Sequence, residues 1–132
     1  MPRRAVPDDP ASLPPTEVQA AAYDRFVPML DAAHREMTEL SKKKQDGIVN
    51  TFKIKMLNRL LSELSKVIAD DPSYAFVDML DEETLPQNSD AVIVLSQWQA
   101  ALRQYRGRHH GWDSTHGGDR WFTMENPKAK NR

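Results

Sequence analysis

The stretch from Gly47 to Ala69 constrains the fold more than any other part of the chain. Val49, Phe52, Met56, Leu57, Leu60, Leu61, Leu64, Val67 and Ile68 recur along it at the angular spacing of an α-helix, about 100° per residue. An apolar arc that wide needs contacts on two sides, so the pattern predicts the central helix of a bundle. Asp46 is its expected N-cap. Lys55, Arg59 and Lys66 form a stripe on its polar side, with Lys42 to Lys44 just upstream.

A second helix is expected before it. "TEVQ" carries a capping-box pattern, with Thr16 as cap and Gln19 three residues on. Tyr23, Phe26, Leu30, Ala33, Met37 and Leu40 then recur at alternating spacings of 3 and 4, a heptad seam. Pro28 lies inside the seam and predicts a kink or a break. His34 sits beside the seam and reads as structural. Two further helices are expected downstream. "DDPSYAFVDMLDEE" reads as a short one, capped by Asp71, started by Pro72, with Tyr74, Val77 and Leu80 inward. After "TLPQNSD", capped at Asn88 or Ser89, a helix over residues 90–106 buries Ala91, Val94, Leu95, Trp98, Ala101, Leu102 and Tyr105. Val92 and Ile93 fall off that face, but the period continues for three more turns and favours helix over strand. Gly107 is the expected stop.

The ends look different. Residues 1–15 hold five of the nine prolines and no periodicity, which predicts an extended, loosely held arm. Residues 107–132 hold four of the five glycines and no apolar period. The fold class expected is therefore all-α: a small antiparallel bundle of three to four helices over residues 16–106, an extended N-terminal arm, and an irregular aromatic C-terminal tail. At 132 residues this is one domain. There is no cysteine, which excludes disulfides and thiolate metal sites. The longest apolar run, "AVIVL", is far too short to cross a bilayer. No membrane partner and a cytoplasmic location are expected.

The net charge of −1 conceals alternating blocks: −3 over residues 1–41, +5 over 42–68, −7 over 69–90 and +4 over 91–132. Blocks of this kind suggest internal complementarity or a charged docking surface more than one basic field. The Lys55–Arg59–Lys66 stripe is the expected counterpart of the acidic segment.

The chemistry-bearing residues cluster in "RHHGWDSTHGGDRWF", Arg108 to Phe122. His109, His110, Asp113, His116 and Asp119 are competent metal ligands. Their spacing matches no known signature, and the glycines argue against a helix that would align them. The simpler reading is a polar loop whose histidines bond to backbone, with no metal and no cofactor. Arg103 precedes His109 by five intervening residues and His110 by six. That spacing resembles the Arg-x(4–6)-His pattern of the HEPN ribonucleases, which are also all-helical. The resemblance implies a histidine acting as general acid or base beside arginine at a dimer interface. No nucleophile triad, phosphate-binding loop or dinucleotide fingerprint appears.

Arg103, Arg106, Arg108 and Arg120 interleave with Tyr105, Trp112, Trp121 and Phe122, the composition of a single-strand nucleic-acid contact. Lys55, Arg59 and Lys66 could extend it. The acidic block would repel a polyanion, however. Trp and Arg also dominate protein interfaces. Trp112, Arg120, Trp121 and Phe122 lie outside the periodic segments, so they are expected either to dock on a protein partner or to close an open end of the bundle. The reading these features support first is a non-enzymatic accessory or adaptor subunit, with a nucleic-acid-handling complex as one setting for it. A direct single-strand binder is the alternative, and a homo-oligomer through the helical apolar seam is a further partner. Deleting residues 112–132 separates docking from closure. A docking tail leaves a folded bundle that no longer binds; a closing tail leaves a chain that fails to fold, as read by circular dichroism.

Overall fold

The computed structural model describes residues 9–129; the first eight residues of the expected arm and the last three of the expected tail lie outside them. Three helices carry most of the described chain: α1 (Glu17–Lys43), α2 (Thr51–Ile68) and α3 (Asn88–His109). A 3-10 turn, Pro72–Phe76, joins α2 to α3. After α3 the chain forms an antiparallel hairpin, β1 (His110–Asp113) and β2 (Gly118–Trp121). The protein is therefore mostly helical with a small sheet, which corrects the all-α expectation and the irregular tail.

Helix α1 begins as its sequence dictates. Thr16 accepts from the Gln19 amide, and the Gln19 side chain accepts from the Thr16 amide. The helix runs through Pro28 without a break. Its seam packs inward: Tyr23, Leu30 and Met37 are buried, while Phe26, Ala33 and Leu40 are half-buried against the same core.

Helix α2 starts later than expected, and Asn50, not Asp46, caps it by accepting from the Lys53 amide. Its buried seam is Ile54, Leu57, Leu61, Leu64 and Ile68, with Val67 beside it. Those five positions step by 3, 4, 3 and 4. The expected arc was too wide and shifted: it omitted Ile54, which is fully buried, and included Phe52 and Met56, which are 71% and 47% exposed. The central position belongs to α1, which packs on both other helices, while α2 and α3 meet only sparsely. One side of α2 therefore stays uncovered.

The third expected helix does not form. Asp71 caps and Pro72 opens only the 3-10 turn, and the chain beyond it is not helical. Side chains from neighbouring helices claim its backbone groups. The Asn58 amide brackets Leu80, donating to its carbonyl at 2.7 Å and accepting from its N–H at 2.9 Å. Trp98 Nε1 donates to the Asp78 carbonyl at 2.7 Å. Leu80 is buried and Val77 half-buried as expected, but Tyr74 stays exposed with its ring edge towards Trp98. With no α-helix there, Asp78, Asp81, Glu82 and Glu83 do not sit at a helix C-terminus, where negative charge is unfavourable.

Helix α3 buries the expected face from Ala91 to Tyr105, except that Val94 is only half-buried. Gln87 occupies its N-cap in place of Asn88 or Ser89, and its amide donates to Asp90. Gly107 does not stop it. An interior glycine costs about 1 kcal/mol relative to alanine, and the helix continues to His109 because the next two side chains are anchored.

Ile54→Ala is expected to lower the unfolding free energy by about 2–5 kcal/mol through the cavity it leaves. Phe52→Ala is expected to stay within about 0.5 kcal/mol. Urea denaturation of both variants checks the corrected seam.

Candidate functional site

The residues around α3's C-terminus form a buried polar joint. Ser12 lies at its centre, in contact with partners 59 and 97 positions away in sequence. The Ser12 hydroxyl donates to Asp71 Oδ1. Its oxygen lies 2.9 Å from His109 Nε2. A hydroxyl has one proton, and the ionised carboxylate can only accept, so His109 Nε2 must carry the proton and donate to Ser12. This is the reverse of a catalytic arrangement, in which histidine would accept from serine. His109 is held further by an edge-on contact with Tyr105 at 4.8 Å.

Asp71 also accepts from the Ser73 amide at 3.0 Å and from the Ser73 hydroxyl, and Arg108 Nη1 stands 4.0 Å away. Burial opposes ionisation of this carboxyl. The hydrogen bonds from Ser12 and Ser73, with the Arg108 charge, outweigh it and hold the pKa below the ordinary carboxylate value. The joint thus ties the arm, the 3-10 turn and the end of α3 together. Residues 9–15 do not lie loose: Ser12 and Pro15 are buried.

The hairpin closes the same end of the molecule. Phe122 is buried, its amide donating to the His109 carbonyl at 2.7 Å. Thr123 is buried too, and the Met124 amide donates to the Pro15 carbonyl at 2.8 Å. Glu125 accepts from the Glu17 amide at the start of α1, where a helix favours negative charge. Trp121 packs edge-on against Tyr23 at 4.8 Å and donates to the Asp24 carboxylate. Tyr23 gives its hydroxyl to the Leu102 carbonyl, and burial pushes its pKa up to about 12.

Arg120 is turned inward. It binds Asp113 and donates to the carbonyls of Trp121, Asn126 and Pro127, with its guanidinium 4.8 Å from the Phe122 ring. The Arg120 hydrogen bond holds the Asp113 carboxyl below its ordinary range. The turn between the strands needs Gly117, whose φ of 78° favours glycine.

Trp112 is the exception. Strand alternation places it on the same side of the hairpin as His110, Asp119 and Trp121, yet it is 66% exposed. Of the four residues expected to dock or close, Trp121 and Phe122 close the core, Arg120 clamps the hairpin, and Trp112 faces solvent.

The other sequence candidates are dispersed. Arg103 is exposed, whereas His109 is buried against Ser12. Arg106 meets a histidine instead, with its Nη2 3.5 Å from His110 Nε2. Burial first, and then Arg106, push the His110 pKa down. His110 stacks edge-on against Trp121 at 5.1 Å. His116 lies in the exposed turn and Asp119 across from Trp112. Among the described residues no three histidine, aspartate or glutamate side chains converge as a metal site. Lys55 and Arg59 make no ion pair with the acidic segment among the described residues; Lys66 pairs with Glu63, and Asp71 is the acid of that segment that meets an arginine, Arg108. His34 bonds Ser96 at 2.9 Å, a structural role as expected.

No helix of the described residues is long and apolar enough to cross a membrane. No protein-family profile, curated protein or solved structure matches the chain.

No pattern in the sequence marks Ser12, which sits in an aperiodic proline-rich segment. Asp71 is legible in the sequence as a helix cap, and His109 as a metal ligand or an acid–base candidate, neither as a partner of Ser12. Asp71→Asn is expected to cost about 2 kcal/mol at neutral pH, the scale of hydrogen bonds to a charged group. The folded-state pKa of Asp71 lies below the unfolded one, so its contribution is present above the unfolded value and is lost as pH falls through the folded one. Urea denaturation across neutral to acidic pH should show a shallower acid loss in the variant than in the wild type.

Proposed function

We propose that the protein is a non-enzymatic binding module, an accessory or adaptor subunit that engages a protein partner through the hairpin end of the molecule. The observation that carries this reading is Trp112: a large indole, 66% exposed, on a hairpin anchored to the core by Trp121 and clamped by Arg120. Tryptophan is among the residues that dominate interface energetics, above all when presented without loss of conformational freedom. Its strand is held by Trp121 on Tyr23, by the Arg120–Asp113 pair and by buried Phe122. Arg103 and Arg106 lie exposed on the adjoining end of α3 and would supply a polar rim.

The same geometry supports direct single-strand nucleic-acid binding less well. Arg108 and Arg120 point inward, which leaves Arg103 and Arg106 as the exposed arginines of that segment. Lys55, Arg59 and Lys66 lie on α2, a separate element.

Trp112→Ala is expected to change the unfolding free energy by no more than about 0.5 kcal/mol while weakening partner binding by roughly 30-fold or more. Trp121→Ala is expected to destabilise the fold by about 2–3 kcal/mol. Co-purification from the native host with wild-type and Trp112→Ala protein checks the reading. A partner retained equally by both contradicts it.

A further inference from the structure

We draw no further inference here: the strongest candidate, the apolar groove between α1 and α2 lined by Phe26, Met29, Met56 and Leu60, is bordered by charges of both signs, and nothing in the structure shows what covers it.

Discussion

One serine hydroxyl decides how the ends of this chain are arranged. Ser12 lies between the Asp71 carboxylate and the His109 imidazole, donating to the first and accepting from the second. All three side chains are buried. A buried carboxylate left without these donors is costly, so the segments that carry them must come together or not bury at all. The proline-rich arm is thereby laid against the end of α3. The Pro15 carbonyl then receives the Met124 amide, and the His109 carbonyl receives the Phe122 amide. The hairpin, the arm and the 3-10 turn form one closed end because of this joint.

What the sequence made legible was the local part. The capping box at Thr16, the α1 seam, and the buried face of α3 all follow from short-range pattern and appear as read. The failures came where distant side chains overrode local preference. Asn58 and Trp98 hold residues 78–80 out of helix, and no feature within that segment announces them. The extension of α3 past Gly107 depends on Arg108 and His109 finding Asp71 and Ser12. The hairpin went unseen because its strands are four residues each, too short for alternation to register. In α2 the error was one of width. Phe52 and Ile54 are both apolar, and only the positions of the other helices decide which is buried.

For the functional surfaces the same division holds. The sequence raised the question of whether the tail aromatics point in or out, and the structure divides them: Trp121 and Phe122 inward, Trp112 outward. The two adjacent histidines of the tail are both engaged within the fold, His109 with Ser12 and His110 against Trp121. The exposed apolar stripe on α2 was present in the periodic pattern all along, counted as core because its arc was apolar. Trp112, presented by the hairpin, is the surface on which the proposed function rests.

Native-state hydrogen exchange at the Phe122 and Met124 amides reads out the closed end of the molecule, because their bonds to His109 and Pro15 form only where hairpin, arm and α3 meet. Both amides should be protected nearly as well as the α2 core amides, and should lose that protection together in Ser12→Ala. Exchange at both as fast as in an open loop, with the helices still protected, would contradict it.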